Sequence, residues 1–197
     1  MTMSNYSTHI EKSAISEMPT VAFEGRIITI DTVDATDKAV KALSSERIIG
    51  IDTETRPSFR KGVQHDVALI QLSTADTCFL IRLNRVKMPD SLVSLLENKD
   101  IIKVGISLHD DCQALNKRRK FKPAGFLELQ QYVKGFGIED MSLQKIFAIV
   151  FGQRISKSQQ LSNWENDVLT DKQKLYAATD AWACLKLYNE LKQNEQE

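Results

Sequence analysis

The chain has 197 residues, and its 26 basic and 26 acidic side chains leave a formal net charge of zero. This length suits one domain with a substantial core. Zero net charge excludes bulk electrostatic attraction to a polyanion or a membrane, so any polyanion site has to be local. Three widely spaced cysteines, Cys78, Cys112 and Cys184, argue against a disulfide framework or a cysteine-rich zinc site. The sequence shows neither a signal-peptide pattern nor an apolar run long enough to span a membrane. We therefore expect a cytoplasmic protein without a membrane partner.

The first segments predict a tail followed by strand, helix and strand. Residues 1–20 are polar and are predicted to form a tail or a short surface helix, ending at Pro19, while residues 21–194 form one domain. That domain begins with a strand in FEGRIITID and a helix in TDKAVKALSS. The segment RIIGIDTE follows, and its isoleucines indicate a buried strand.

The remaining segments add a hairpin, one more strand and several helices. VALIQLSTADTCFLIRL predicts a hairpin that turns at Ala75 and Asp76, and DSLVSLLENK predicts a helix that starts at an Asp cap after Pro89. After a strand in IIKVGIS come a helix at about 108–118, helical pieces across 127–152, a Gln- and Ser-rich loop around 153–163 and a long final helix. This order predicts an α/β fold in which helices flank a mixed sheet.

Carboxylates follow two of the predicted strands. Asp52 and Glu54 lie two residues apart at the end of IGIDTET, so both project from one face of the strand. Two such charges about 4 Å apart repel by roughly 4 kcal/mol at an effective dielectric near 20, and a divalent cation would relieve that repulsion. Asp110 and Asp111 open the helix after KVGIS, where negative charge is also favourable for ordinary reasons. Taken alone, each pair also fits a solvated strand or helix end.

The final helix contains a carboxylate in an unusual place. In LYAATDAWACLKLY, Asp180 lies among alanines although aspartate is a poor residue for a helix interior. Tyr176 precedes it by one turn and shares its face, and small neighbours leave room beside it. A lone carboxylate of this kind usually faces water. Together with the strand-end and helix-start carboxylates, however, it can converge on two Mg²⁺ or Mn²⁺ ions, an arrangement that hydrolyses phosphodiesters.

Three motifs in order resemble one known family. IDTET, VGISLHDDCQAL and the Y-x-x-x-D of LYAATDAWACLKLY are similar to the motifs of the DEDD superfamily of 3′-5′ exonucleases, in the branch with a tyrosine in its last motif. LSNWENDVLTDKQKLYAATDA is similar to exonuclease domains of the Werner-syndrome type, and ribonuclease D is a more distant relative. The resemblance implies a ribonuclease H-like fold. It also implies that two divalent cations are held by four carboxylates, those of Asp52, Glu54, Asp111 and Asp180, and that Asp52 bridges the two ions. Tyr176 is then the residue that orients the attacking water.

Helical periodicity separates the two adjacent aspartates. Leu108, Cys112 and Leu115 share the face that should pack on the sheet, and Asp111 falls beside that stripe. Asp110 points almost to the opposite side, and Ser107 as N-cap would make it the acidic partner of a capping-box-like pair. We therefore predict that Asp111 is the ligand.

Basic and aromatic residues offer weaker candidates for substrate contact. Arg56, Arg60 and Lys61 follow the first motif, whereas the run KRRKFK at 117–122 is typical of a solvated helix end. Trp164 is predicted to anchor a loop rather than to stack on a base, and His109 to be exposed.

The combined pattern predicts a metal-dependent 3′-5′ exonuclease that releases nucleoside 5′-monophosphates from single-stranded or frayed ends of nucleic acid, with DNA favoured over RNA. The alternative is a non-catalytic nucleic-acid-binding module that retained the fold.

Overall fold

The computed structural model describes residues 6–195, and this part of the chain forms a six-stranded sheet with helices on both faces. The strands occur in the spatial order β1, β4, β3, β2, β5, β6. Their bounds are β1 Arg26–Ile30, β2 Ile48–Thr55, β3 Val67–Ser73, β4 Thr77–Ile81, β5 Ile102–Gly105 and β6 Phe126–Glu128. The predicted α/β fold with a mixed sheet flanked by helices is confirmed.

Strand pairing leaves half of β2 open on one side. β2 runs antiparallel to β3 from Gly50 to Thr55, but its parallel pairing with β5 covers only Ile48 to Gly50. The carboxyl-terminal half of β2 therefore extends beyond the end of β5. Side chains from this half of the strand can meet groups from other elements at the edge of the sheet.

The helices pack on both faces of the sheet. Their bounds are α1 Lys12–Glu17, α2 Val33–Leu43, α3 Leu83–Val86, α4 Asp90–Glu97, α5 Leu108–Arg118, α6 Leu129–Tyr132, α7 Leu143–Phe151 and α8 Asp171–Asn194, with a 3-10 turn at Val133–Phe136. Apolar side chains of α2, α4 and α5 form one core cluster with the sheet, and those of α7 and α8 contribute to two others. None of the helices within residues 6–195 is both long and apolar enough to cross a membrane.

Three local predictions need correction. The N-cap of α4 is Pro89, and Asp90 is the first helical residue, where its charge lies near the positive end of the helix dipole. Strand β6 was not predicted, because three residues at the start of a helix-rich segment carry no alternation that could reveal a strand. The four-residue helix α3 was also missed, since it is shorter than the helical periodicity can report.

Helix α8 approaches β2 closely at one glycine. A Cβ atom added at Gly50 would lie 1.9 Å from the carbonyl oxygen of Ala181, so only glycine fits at this position. This contact brings the residue before Ala181, which is Asp180, next to the end of β2. The close packing of these two elements is what positions the carboxylates described below.

Gly50→Ala is expected to lower the free energy of unfolding by about 1–3 kcal/mol, because the added methyl group has to push α8 away from the sheet. Urea unfolding measures this change. Gly135→Ala is a matched control, since no atom lies within 4 Å of a Cβ added there. Equal stability of the two variants would show that the Gly50 contact does not constrain the packing of α8.

Candidate active site

Carboxylates from β2 and α8 form an acidic cluster at the open end of the sheet. Ligand oxygens of Asp52, Glu54 and Asp180 all lie within 4.8 Å of one another. Asp52 and Glu54 share one face of β2, as the spacing predicted, and the close approach at Gly50 brings Asp180 to that face. Asp180 is 8% exposed and Glu54 9% exposed, so water screens their charges poorly.

Asp111 reaches the same region from α5. Its Oδ1 accepts a hydrogen bond of 2.7 Å from the Thr53 hydroxyl, and Thr53 lies between Asp52 and Glu54 in the strand. Asp111 is half-buried and lines the same cavity as the three clustered carboxylates, although it is not one of that close group. Asp110 is exposed. The aspartate at this cavity is therefore Asp111, the one that helical periodicity favoured.

The start of α5 differs from the predicted capping box. Ser107 is the N-cap, but it has left-handed backbone angles, φ 58° and ψ 31°, and its side chain makes no capping hydrogen bond. The carboxylate of Glu128 accepts hydrogen bonds from the backbone N–H groups of Ser107 at 3.1 Å and Leu108 at 2.8 Å instead. A capping serine normally adopts an extended conformation, which explains why Ser107 cannot fill this role. Glu128 could not be found from local sequence because it comes from β6.

Burial and mutual repulsion raise the pKa values of the cluster. Burial, followed by repulsion from Asp180 and Asp111, raises the pKa of Asp52 well above its ordinary value. The same causes, with Asp52 the largest repulsive neighbour, raise the pKa of Glu54 to about 10. Burial raises the pKa of Asp180 to about 7, even though the nearby Tyr176 hydroxyl and Lys157 ammonium favour its ionised form. The cluster therefore holds protons near neutral pH.

Asp111 is less strongly perturbed than the close group. Burial raises its pKa to about 6, whereas the hydrogen bond from Thr53 favours the ionised carboxylate. The close group of Asp52, Glu54 and Asp180 offers carboxylate oxygens and no nitrogen or sulfur ligand. Such a set of ligands suits a hard divalent cation such as Mg²⁺ or Mn²⁺. The residues present thus fit a divalent cation, with Asp52, Glu54 and Asp180 close enough to share it and Asp111 lining the same cavity.

Tyr176 is held beside the cluster by an aromatic neighbour. Its ring lies 6.0 Å from the ring of Trp164, measured between centroids. Trp164 is fully buried, so the prediction that it anchors a loop to the core is confirmed. Burial, and then the charges of Asp180 and Glu54, raise the pKa of the Tyr176 hydroxyl above its ordinary value. The hydroxyl therefore keeps its proton near neutral pH and can donate a hydrogen bond.

Several residues that the sequence did not single out line the same cavity, which has a volume of about 280 Å³. Lys157 brings a positive charge into the lining, and the polar contributors from the start of α7 and the following loop are Ser142, Gln144, Ser156 and Gln160. A lone lysine in a Gln- and Ser-rich loop gives no recognisable pattern, so only the folded chain reveals its position.

The predicted basic contacts lie outside this cavity. Arg56 forms an ion pair of 3.1 Å with Glu165, and Arg60 and Lys61 are exposed on the loop that follows β2. In the run at 117–122, Arg118 donates to the carbonyl oxygens of Val67 and Leu83. Its neighbour Arg119 donates to the carbonyl oxygen of Met88 and to the carboxylate of Asp90. Two side chains of this run therefore tether the end of α5 to other parts of the fold.

His109 lies outside the acidic cluster. It is exposed on α5, as predicted, and its ring contacts the side-chain amide of Gln113 at 2.7 Å. Among the described residues, the close group of possible metal ligands contains Asp52, Glu54 and Asp180 but not His109.

Comparisons with known proteins show which family this chain resembles. The model of the 3′-5′ exonuclease family matches residues 27–195. The bifunctional 3′-5′ exonuclease/ATP-dependent helicase WRN of Mus musculus is 33% identical over 193 residues, covering 92% of this chain and 14% of the mouse protein. This chain therefore spans only a small part of that relative's length.

Solved structures share the fold. The EXO domain of Nibbler from Aedes aegypti superimposes with a TM-score of 0.81 at 22% identity, covering 90% of this chain and 93% of that one. RNase D of Trypanosoma brucei, solved in complex with RNA U12, superimposes with a TM-score of 0.75 at 24% identity. The superposition covers 86% of this chain and 63% of the RNase D chain. At these identities the likeness shows a common ribonuclease H-like fold. With the family match over most of its length, the chain belongs to the DEDD family of 3′-5′ exonucleases.

Proposed function

We propose that this chain is an active, metal-dependent exonuclease that hydrolyses phosphodiester bonds from the 3′ end of nucleic acid and releases nucleoside 5′-monophosphates. The observation that carries the proposal is the approach of Asp52, Glu54 and Asp180 to within 4.8 Å in a cavity that Asp111 also lines. Such a cluster repels the phosphates of a nucleic acid unless cations neutralise it. It suits catalysis with bound metal ions better than it suits binding alone.

The four carboxylates, Asp52, Glu54, Asp111 and Asp180, would hold two divalent cations, Mg²⁺ or Mn²⁺. When bound, these ions supply a water of lowered pKa and stabilise the charge that develops at phosphorus. Thr53 and Glu128 keep Asp111 in position, the first by a direct hydrogen bond and the second through the start of α5.

Tyr176 would act as an orienting group, the role implied by the resemblance of its motif to the tyrosine branch of the family. Because its hydroxyl keeps its proton near neutral pH, it can donate a hydrogen bond to the attacking water or to a phosphate oxygen, but it cannot serve as the base. Lys157 extends a positive charge into the cavity, where it would offset the charge of the substrate phosphate. Arg56, Arg60 and Lys61 remain candidates for contacts with more distant phosphates.

We propose DNA as the favoured substrate, because a DNA polymerase I, that of Aquifex aeolicus, is among the relatives of this chain, at 28% identity over 156 residues. RNA is the alternative, because the RNase D neighbour was solved with RNA. We propose single-stranded or frayed ends as the form of the substrate, because the carboxylates line a cavity of about 280 Å³ that the end of a strand has to enter.

A 5′-labelled oligonucleotide, offered as DNA and as RNA with Mn²⁺, is expected to shorten stepwise from its 3′ end, faster as DNA. Asp180→Asn should abolish the shortening without unfolding the protein, because the amide is neutral and nearly isosteric with the carboxylate. Denaturing gels and thermal unfolding report the two effects. Retention of the oligonucleotide without shortening by the wild-type chain would instead identify a binding module.

The adjacent aspartates provide an internal control. Asp111→Asn is expected to remove most of the metal-dependent cleavage, because this side chain faces the cavity. Asp110→Asn should retain cleavage and lose at most about 1 kcal/mol of stability, since it removes one exposed charge from the first turn of α5. Rates at saturating Mn²⁺ on folded proteins decide between them. The opposite ranking would show that the second motif is misassigned.

Tyr176→Phe is expected to slow cleavage by about 10²- to 10⁴-fold while preserving the contact with Trp164, because only the hydroxyl is lost. Tyr188→Phe on the same helix serves as the control, since Tyr188 does not line the cavity. Single-turnover rates compare the two variants. A full rate for Tyr176→Phe would rule out the orienting role.

A further inference from the structure

A second cavity adjoins the active-site cavity. Its volume is about 350 Å³, and Ser156 and Tyr176 line both cavities. Its walls come from three parts of the chain: the segment Thr20–Ala22 before β1, the loop at 156–159, and one face of α8 from Lys172 to Thr179. Tyr176 thus separates the acidic cluster from this second space.

The segment before β1 is fixed by backbone hydrogen bonds. The N–H of Val21 donates to the carbonyl of Arg154 at 2.9 Å, and the N–H of Arg154 donates to the carbonyl of Pro19 at 3.0 Å. The N–H of Phe23 donates to the hydroxyl of Thr179 at 3.1 Å, which ties the segment to α8. The family match begins at residue 27, so this wall is built by residues that precede the matched part of the chain.

The lining has the character of a site for a flat ring. Val21, Ala22, Leu175 and the ring of Tyr176 provide apolar surface, and the polar groups of Ser158 and Gln159 lie in the adjoining loop. A nucleobase presents the same combination, since its two faces are apolar and its edge carries donors and acceptors. The exposed ammonium of Lys172 is available for the phosphate attached to such a base.

We propose that this second cavity binds a nucleobase of the substrate strand. The inference rests on the proposed function, because a strand with its phosphate at the acidic cluster passes directly beside Tyr176. The four carboxylates of the active site contribute no attraction for the strand themselves. Binding of a nucleobase in the second cavity would therefore add affinity for the strand that the carboxylates themselves do not provide.

Strands that lack one base test this assignment. Single-stranded DNA with an abasic residue at successive positions from its 3′ end is titrated against the full chain carrying Asp180→Asn, so that no shortening disturbs the measurement. Fluorescence anisotropy gives the affinity of each strand. The same series is repeated after adding Leu175→Ala, which removes part of the apolar wall, or Val33→Ala, a control on α2 at a side chain that is 47% exposed and lines neither cavity.

At one position, the abasic residue is expected to weaken binding by about tenfold in the parent protein, as for the loss of one stacked base. Leu175→Ala should reduce this difference to less than about threefold, and Val33→Ala should leave it unchanged. The proposal is overturned if no position shows a loss, or if Leu175→Ala preserves it in full. Cleavage of the intact strand by the wild-type chain is measured separately, so failure of the nuclease activity and failure of the base-binding cavity are distinguishable.

Discussion

Electrostatic repulsion between buried carboxylates is the constraint on which the rest of this structure depends. Asp52, Glu54 and Asp180 have oxygens within 4.8 Å of one another and little contact with water. At an effective dielectric near 20, two unit charges about 4 Å apart repel by roughly 4 kcal/mol, so the packing of the fold has to hold them together. The close packing of α8 on β2 brings them together, and it is possible only because residue 50 has no side chain that would meet the carbonyl oxygen of Ala181.

Two side chains of the proposed active site, Asp111 and Tyr176, have supports from distant parts of the chain. Glu128 in β6 fixes the start of α5 and so the position of Asp111. Trp164, in the loop before α8, packs against the ring of Tyr176. The segment before β1 is bonded to Arg154 and Thr179 and thereby borders the second cavity. Bound protons near neutral pH, or divalent cations when these are bound, then compensate the negative charge of the clustered carboxylates.

Local periodicity and the motifs together predicted which acidic residues lie near one another, but not the residues that support them. The two-residue repeat of a strand placed Asp52 and Glu54 on one face, and the helical repeat distinguished Asp111 from Asp110. Glu128 and Lys157 reach the site from β6 and from an irregular loop, so no repeat within a short window could reveal them. Ser107 is the N-cap, as predicted, but the prediction of a capping-box-like pair with Asp110 was wrong, because the left-handed backbone angles at Ser107 depend on its tertiary surroundings.

The most direct test of this account is the stability of the chain as a function of pH, with and without Mn²⁺. The pKa of Asp180 is raised from an ordinary value of 3.8 to about 7 in the folded chain, so the folded state binds more protons than the unfolded state between these values. In a chelating buffer, Asp180 alone should therefore lower the free energy of unfolding by roughly 2–4 kcal/mol between pH 5 and pH 8, and the raised pKa values of Glu54 and Asp111 should add to this fall. It should fall less in Asp180→Asn, and Mn²⁺ should restore it at pH 8 more than at pH 5. Stability that rises over this range without metal, or an equal effect of Mn²⁺ at both pH values, would contradict the account.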